Sequence, residues 1–522
     1  MNKEILQQYT PHGAKPEFFG NTATFEASVL NIKEIAADFY ENKHFSLKLI
    51  TATDERKTSG CFKIWYVFSL PKENLFVIPF IELKDAKEFP SLGGFLHEAI
   101  NHERKIQTFF GLTPVGNPDA RPIILHENWP TNVFPLRKDF DWKERPKQAS
   151  GNYPFQKVDG EGIYEIPVGP IHAGIIEPGH FRFSVAGEEI MLLEARLGFV
   201  HKGSEKLFEI LPMADKLRLS EKISGDSSFS HSLAFCQAVE QLSNITVPQR
   251  ALYLRVIYAE LERLANHFGD IGAIMIDTGF NFGGANGARL REIVMQINER
   301  LTQSRFLRNV NAIGGVIKDI DLHQAATLSK ELQMLQQDFS EVIKVADGSL
   351  SLFNRLQGTG ALSFEAAKNH GVVGVAAKAA GIAMDARVNH SYAAYDQLKF
   401  SNIETEQGGD VLARFRVRIK EAYASINIIQ QALNSLPEGP TLSLPPAPLQ
   451  KNSLAIGIVE GWRGDIVYFI TTDADGNISR VAPRDPSFLN WPAVGEVGFG
   501  NVVPDFPLIN KSFNLSYSGN DL

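Results

Sequence analysis

The feature that most constrains the fold is a series of long segments between residues 204 and 435 with apolar side chains at helical spacing. In the clearest segment Pro248 lies near the start and Gly269 is placed at the end. The apolar stripe between them consists of Tyr253, Ile257, Leu261, Leu264 and Phe268. Residues 328–345 and 411–436 repeat the pattern. Because each such helix must bury its apolar face, the series predicts a helical bundle.

Strand-like segments precede this helical region. Residues 62–70 and 75–83 are rich in β-branched and aromatic side chains, and Pro79 places the second segment at a sheet edge or a bulge. Helical patterns at residues 34–42 and 92–110 accompany them. The N-terminal part is therefore predicted to be a small α/β unit.

Strand patterns also lie on either side of the predicted bundle. Residues 181–185 and 188–193 indicate two short strands before the bundle. After it, residues 456–459 and 466–471 have the same character, and we expect residues 450–522 to return to strands. The bundle is thus expected to carry a flanking β-sheet.

A polar segment with several Pro and Gly residues, at 141–162, separates the two parts. We divide the chain into an N-terminal domain at 1–145, a linker at 146–162 and a second domain at 163–522. The predicted fold class is α+β, with a small α/β domain followed by a mainly helical-bundle domain.

Composition excludes several classes of function. The net charge is −8 over 522 residues, which argues against a nucleic-acid partner. The two cysteines, Cys61 and Cys236, form no C-x-x-C pair, so this chain alone cannot hold an iron–sulfur cluster on four thiolates. No apolar run of about 18 residues is present. We expect a cytoplasmic chain, or one held at a membrane by other subunits.

Many ordered segments resemble one family. Glu177-Pro-Gly-His-Phe-Arg-Phe and Val200-His-Lys-Gly-Ser-Glu-Lys are similar to the opening of the large subunit of energy-converting (group 4) nickel–iron hydrogenases, relatives of the 49-kDa subunit of respiratory complex I. Residues 169–174 belong to the same opening, and later segments that agree with this resemblance follow in order at 250–267, 312–316, 374–387, 408–418, 459–465 and 486–492. The N-terminal domain resembles the 30-kDa subunit at 103–112, 117–121 and 134–140. The resemblance implies that both subunits are fused in one chain.

The resemblance also shows what this chain lacks. In the hydrogenases four thiolates from two C-x-x-C pairs hold nickel, and soft thiolates suit this metal. The corresponding positions here are Ser224 and Ser227 in the first pair, and Ser516 and Gly519 in the second. We call these four residues the thiolate positions. The resemblance therefore implies a metal-free variant that does not catalyse hydrogen turnover. Only three residues follow Gly519, so endoproteolytic maturation is not expected.

Other site residues follow from the same resemblance. Glu177 matches a glutamate that passes protons near the metal, and Arg463 matches an arginine beside the iron ligands. Without a metal, Arg463 would pair with Asp465 or another carboxylate. The full set of expected catalytic residues is Glu177, His180, His201, Glu205, His231 and Arg463.

The implied function is that of a subunit in a membrane-associated redox complex. An iron–sulfur small subunit would hold the cluster, antiporter-like membrane subunits would lie below, and the chain would lie on the inner face of the cell membrane. Electron transfer to a quinone-like acceptor, with Glu177, His180 and His231 at the site, and coupling to ion translocation both stay open. So does the alternative of a non-catalytic scaffold that docks the iron–sulfur subunit. The residues expected of a quinone site, a His in its loop and a Tyr, are not clearly present.

Overall fold

The structure is a computed structural model that describes residues 2–11, 13–71, 73–172, 176–443 and 448–522. Its N-terminal unit contains seven of the described strands and three helices. The strands are β1 (Glu17–Phe19), β2 (Thr22–Glu26), β3 (Ser46–Glu55), β4 (Cys61–Leu70), β5 (Leu75–Leu83), β6 (Glu88–Pro90) and β7 (Thr113–Val115). The helices are α1 (Asn2–Gln8), α2 (Ile32–Ala37), which continues as a π-helical turn over Asp38–Asn42, and α3 (Ala99–Phe110).

The main N-terminal sheet has the order β1-β2-β5-β4-β3. The prediction that Pro79 marks a sheet edge or a bulge is wrong, because β5 lies between β2 and β4 and pairs with β4 in one unshifted register. The register with β4 runs from the pair Trp65–Phe80 to the pair Phe68–Val77, so Pro79 lies in the interval between these paired positions. A proline without an N–H is accommodated there although the strand is internal. Helix α3 is shorter than predicted and begins at Ala99.

Residues 116–162 form no helix or strand. They lead into a three-stranded antiparallel sheet of order β10-β9-β8. Its strands are β8 (Ile163–Val168), β9 (His180–Ala186) and β10 (Glu189–Arg196).

The helical region follows. Its elements are α4 (Ser204–Ile210), α5 (Met213–Ser220), α6 (Ser228–Leu242), α7 (Gln249–Asp277), α8 (Asn281–Thr302), β11 (Asn311–Ala312), β12 (Gly315–Val316), α9 (Leu322–Asp347), α10 (Leu350–Leu356), α11 (Phe364–Asn369), α12 (Gly374–Ala379), α13 (Ala386–Asn389) and α14 (Val411–Asn434). The predicted stripe of α7 is buried in one hydrophobic core shared by α6, α7, α8, α9 and α14. This arrangement confirms the helical bundle.

Helix α7 does not end at Gly269 but continues for eight more residues to Asp277. The glycine serves helix packing instead of termination. A Cβ at Gly269 would lie 2.7 Å from Arg291 Cδ on α8. One turn further along α7, Gly272 faces Gly287 of α8, where an added Cβ would lie 2.5 Å from the Cα of Gly272. The lack of side chains lets α7 and α8 approach closely.

The last part contains a three-stranded sheet of order β13-β14-β15, as expected, but then becomes helical. Its elements are β13 (Leu454–Gly461), β14 (Gly464–Thr472), β15 (Ile478–Arg484), α15 (Pro486–Gly498), α16 (Phe506–Phe513) and α17 (Tyr517–Asp521). The prediction of strands up to residue 522 is therefore wrong after Arg484. Asp485 caps α15 through the N–H of Ser487, and Pro486 occupies the first turn, where a missing N–H costs nothing.

Buried ion pairs join the two halves of the chain. Lys48 of β3 donates to Asp465 of β14 over 2.8 Å, and Arg484 donates to the same carboxylate over 3.0 Å. Trp65 and Phe469 share a second hydrophobic core across this junction. In the part of the chain that the structure describes, no helix is long and apolar enough to cross a membrane.

Candidate functional site

The thiolate positions lie where the N-terminus of α6 meets the start of α17. Ser224 Oγ lies within hydrogen-bond distance of Ser516 Oγ, at 2.8 Å, although 292 positions separate the two residues. Ser516 is the N-cap of α17 and accepts the N–H of Gly519 over 2.9 Å. Three of the four positions are thus joined by short contacts, and Ser227 lies at the N-cap of α6 beside them.

Asp226 and Arg463 occupy the centre of this cluster. Arg463 Nη1 lies 2.7 Å from Asp226 Oδ1, and Arg463 Nη2 lies 2.7 Å from Asp226 Oδ2. Ser224 donates to the same carboxylate over 2.9 Å, and Ser227 does so over 3.4 Å. Burial alone would raise the pKa of Asp226, but the positive charge of Arg463 outweighs it and the pKa is lowered. Arg463 therefore pairs with this carboxylate and not with Asp465, which binds Lys48 and Arg484 instead.

His231 lies on α6, one turn beyond the first pair, and is fully buried. Its Nε2 is 3.0 Å from Asp485 Oδ2, and its Nδ1 is 3.1 Å from the Tyr468 hydroxyl. Burial raises the pKa of Tyr468 well above its ordinary value, so this hydroxyl stays protonated and donates to Nδ1. Nε2 then carries the hydrogen and donates to Asp485, whose pKa is lowered by this contact against the effect of burial.

Asp485 fills the space of a side chain at the fourth thiolate position. A Cβ built on Gly519 would lie 2.5 Å from Asp485 Cγ and 2.7 Å from Oδ2. Real Cβ atoms do not approach other heavy atoms so closely. Three of the four positions offer a hydroxyl group, and the fourth is a glycine without a side chain. These groups do not match the soft thiolate ligands that nickel prefers. In the described residues, no group of three or more His, Cys, Asp or Glu side chains could hold a metal ion.

Glu177 lies at the edge of this cluster and is partly buried. Its Oε2 accepts the N–H of Ser518 over 3.0 Å, and the Ser518 hydroxyl is 3.3 Å from Ser516 Oγ. A chain of hydroxyl groups thus leads from the neighbourhood of Glu177 to Asp226 through Ser516 and Ser224.

The structure places the remaining expected residues elsewhere. Glu205 lies at the junction with the N-terminal unit, where Lys105 donates to it over 2.8 Å and Arg480 over 3.0 Å. Burial would raise the pKa of Glu205, but these two positive charges lower it. His201 Nδ1 is 2.7 Å from the carbonyl of Asp521, and burial lowers its pKa.

His180 begins β9, and its Nδ1 lies 3.4 Å from the carbonyl of Gly169. Its ring contacts Phe155, with centroids 5.4 Å apart. Of the family-like segment at 169–174, residues 169–172 are described, and Ala173 and Gly174 are outside the described residues.

Sequence reasoning missed the polar partners of the site, which are Asp226, Asp485 and Tyr468. Asp226 lies between the serines of the first pair, so its position alone was a signal. Asp485 lies in an Asp-Pro-Ser sequence that is typical of a helix start, and nothing local indicated its contact with His231.

Two family models match the chain. The model of the 30-kDa subunit of respiratory-chain NADH dehydrogenase matches residues 26–146, and the model of the 49-kDa subunit matches residues 277–456. Formate hydrogenlyase subunit 5 of Escherichia coli is 33% identical over 508 residues, which is 95% of this chain and 88% of that protein. The chain belongs to the family of fused 30-kDa and 49-kDa complex I-type subunits.

Further relatives of this fused-subunit family come from both enzyme classes. Hydrogenase-4 component G of Escherichia coli is 34% identical, and the match covers 91% of this chain and 83% of that protein. The C/D subunit of NADH-quinone oxidoreductase from Phocaeicola vulgatus is 30% identical, and the match covers 77% of this chain and 81% of that protein. The chain is therefore an oxidoreductase-type subunit, and its relatives are named as subunits or components of larger enzymes.

Proposed function

We propose that this chain is the large subunit of a membrane-associated redox complex that works without a nickel–iron centre and couples electron transfer to ion translocation. The observation that carries the proposal is the carboxylate of Asp485 in the place of a fourth thiolate. A cysteine side chain at position 519 would require the Asp485 carboxylate to shift, and that carboxylate is held by His231. These contacts favour a polar cluster over a metal pocket that has lost its ligands.

The cluster offers groups that can hold and move protons. His231 connects the carboxylate of Asp485 to the hydroxyl of Tyr468, so a proton gained at one ring nitrogen can leave from the other. The hydroxyls of Ser224 and Ser516 form a series of hydrogen-bond contacts that extends from Asp226 to Ser518. Burial and neighbouring groups both act on the pKa of Asp226 and of Asp485, so a change of charge nearby alters the proton affinity of these two carboxylates.

The family supports the expected partners. An iron–sulfur small subunit would supply electrons near the thiolate positions, and antiporter-like membrane subunits would carry the ions and hold this chain on the inner face of the cell membrane. A quinone-like compound would accept the electrons. This chain would contribute the proton-holding side chains between the two processes.

The experiment compares the native complex with its Asp485→Asn variant in vesicles. The complex is isolated through a tag on this chain, reduced methyl viologen supplies electrons, and a short-chain ubiquinone accepts them. We expect the variant to assemble and to move at least about tenfold fewer ions per electron. The reason is that the Asp485→Asn variant lacks the negative charge of Asp485, which accepts the hydrogen of His231 Nε2. Asp338→Asn, which changes a partly exposed carboxylate paired with Arg289, is the matched control.

Three outcomes would contradict the proposal. Hydrogen turnover with reduced viologen would indicate an intact metal site. An unchanged ratio of ions to electrons in the Asp485→Asn variant would remove the coupling role. Absence of electron transfer in a complex that retains its iron–sulfur subunit would indicate a scaffold.

A further inference from the structure

A second polar network lies where helices α7 and α14 meet the base of the hairpin formed by β13 and β14. Its members are buried side chains from α7, α12, α13, α14 and β13 and from the residue before α13. They are Glu260, Arg263, His267, Lys378, Asp385, Arg387, Glu421 and Glu460. We call this set the internal network. It contains none of the thiolate positions, and the function proposed above does not use it.

Two cations of the internal network hold three of its carboxylates. Lys378 Nζ lies 2.6 Å from Asp385 and 2.7 Å from Glu421. Arg387 lies 3.0 Å from Glu260 and 2.7 Å from Asp385. Burial alone would raise the pKa values of these three carboxyls, but the positive charges outweigh it and the pKa values are lowered. All three are therefore ionised at neutral pH.

Arg263 is the third cation, and it holds the base of the hairpin. Its Nη2 donates to the carbonyl of Glu460 over 2.6 Å, and its Nη1 donates to the carbonyl of Gly461 over 3.0 Å. Its Nε lies 3.3 Å from Glu260 Oε2. Strand β13 ends at Gly461, and Arg463 lies in the turn that follows. The internal network is thus joined to the hairpin that places Arg463 at the thiolate positions.

Glu460 is a fourth carboxylate, and no cation among the described residues pairs with it closely. Its Oε1 lies 3.6 Å from Lys378 Nζ, which is closer to two other carboxylates. Its Oε2 accepts the N–H of Ala386 over 2.8 Å. The charged groups that face it are Lys378, Asp385, Arg263 and Asp465, and Asp465 is paired with Lys48 and Arg484.

The charges of the internal network do not balance when every carboxylate is ionised. Burial lowers the pKa of His267, so its ring is neutral at pH 7. In the part of the chain that the structure describes, three cations then face four carboxylates. A buried charge without a partner is costly, and one proton on a carboxylate removes it. Burial and the charge of Asp385 raise the pKa of Glu460 to about 7, in agreement with its distance from Lys378.

We propose that Glu460 is a proton-binding site that exchanges one proton with solvent while the other carboxylates of the internal network stay ionised. A bound proton cancels the excess negative charge. Its release adds a negative charge at the base of the hairpin that carries Arg463. That this proton serves ion translocation rests on the function proposed above. The exchange itself is a property of the chain, and its test involves no electron transfer.

The test compares infrared spectra of the full-length chain and its Glu460→Gln variant at a series of pH values. The C=O stretch distinguishes a protonated carboxyl from a carboxylate, and glutamine keeps an acceptor for the N–H of Ala386 without titrating. Burial also raises the pKa values of Glu103 and Glu262 to about 7, so only the difference between the two chains is assigned to Glu460. We expect the native chain to show one additional protonated carboxyl, half of which is lost at about pH 7. Glu341→Gln, at an exposed position of α9, should leave this signal unchanged.

Asp385→Asn tests the charge balance of the internal network. The variant has three carboxylates for three cations, so Glu460 should be ionised at neutral pH. We expect the midpoint of its carboxyl signal to fall by at least about one pH unit, measured against the same variant with Glu460→Gln added. Asp338→Asn, which removes a carboxylate paired with Arg289 outside the network, should leave the midpoint unchanged.

The proposal is overturned if the difference between the native and Glu460→Gln spectra does not change between about pH 5 and about pH 9. It is also overturned if Asp385→Asn leaves the midpoint of Glu460 where it is in the native chain. If Asp385→Asn does not fold, the comparison of the native chain with Glu460→Gln decides the outcome without it. Because neither measurement depends on electron transfer, the function proposed above can fail without changing these results.

Discussion

At the scale of single residues, one ion pair holds the thiolate positions together. Asp226 accepts hydrogen bonds from Arg463, Ser224 and Ser227, so it contacts the first pair directly and the second pair through Ser224. The sequence could predict the serines, because the resemblance fixes their positions. It could not predict that Arg463 binds Asp226, because 237 positions separate them and only the folded chain brings them together.

Breaking this pair from one side should destabilise the chain. Arg463→Met leaves the carboxylate of Asp226 unpaired, and we expect the free energy of unfolding in urea to fall by about 2 kcal/mol. The value is below that of a fully buried pair because the Asp226 side chain is 32% exposed.

The double variant Asp226→Asn with Arg463→Met should recover part of that loss, since no unpaired charge remains. Arg289→Met breaks an exposed pair with Asp338 and should cost less than about 1 kcal/mol. If Arg463→Met and Arg289→Met have equal effects, the pair does not organise the site.

At the scale of elements, apolar spacing predicted the long helices but not how they use their polar side chains. Helix α7 faces α14 through buried ionic groups. Arg418 donates to Asp270 over 2.9 Å, and His267 Nε2 is 2.7 Å from Glu421. The sequence pattern of one helix shows which of its positions are polar. The packing of two helices determines which polar side chains form a pair. Gly269 is likewise explained by its packing against Arg291 of α8, which the pattern of α7 alone does not show.

Glu262 of α7 holds the start of α6. Its carboxylate accepts the N–H of Phe229 over 2.6 Å and the N–H of Ser230 over 3.1 Å. Burial raises the pKa of Glu262 to about 7, despite these hydrogen bonds. The folded state therefore binds this proton more tightly than the unfolded state, whose carboxyl titrates near its ordinary value. The resulting stability is fully present below about pH 4.5 and is lost as the pH rises to about 7.

Glu262→Gln should abolish this dependence, because the amide keeps an acceptor and does not titrate. Across that pH window, the unfolding free energy of the native chain should fall relative to the variant by on the order of 3 kcal/mol. Urea unfolding at several pH values measures the difference, and Glu341→Gln at an exposed position of α9 is the control. Parallel curves for the native chain and Glu262→Gln would show that the carboxyl does not titrate in this range.

At the scale of the whole molecule, the fused organisation could be predicted because segments of both subunits follow one another in the sequence. The family models at 26–146 and 277–456 agree with that order. The junction could not be predicted, because it depends on contacts such as Lys48 with Asp465, which lie 417 positions apart. Of the expected site residues, Glu205 belongs to this junction. His201 contacts both Phe109 of the N-terminal unit and the carbonyl of Asp521 at the end of α17.

We propose that the thiolate positions form a polar cluster that holds no nickel–iron centre. The most direct test is the nickel content of the native complex, purified through a tag on this chain and measured beside a nickel-containing hydrogenase prepared in the same way. We expect nickel at the background of the method in this complex and stoichiometric nickel in the hydrogenase. Stoichiometric nickel that co-purifies with this chain would contradict this proposal.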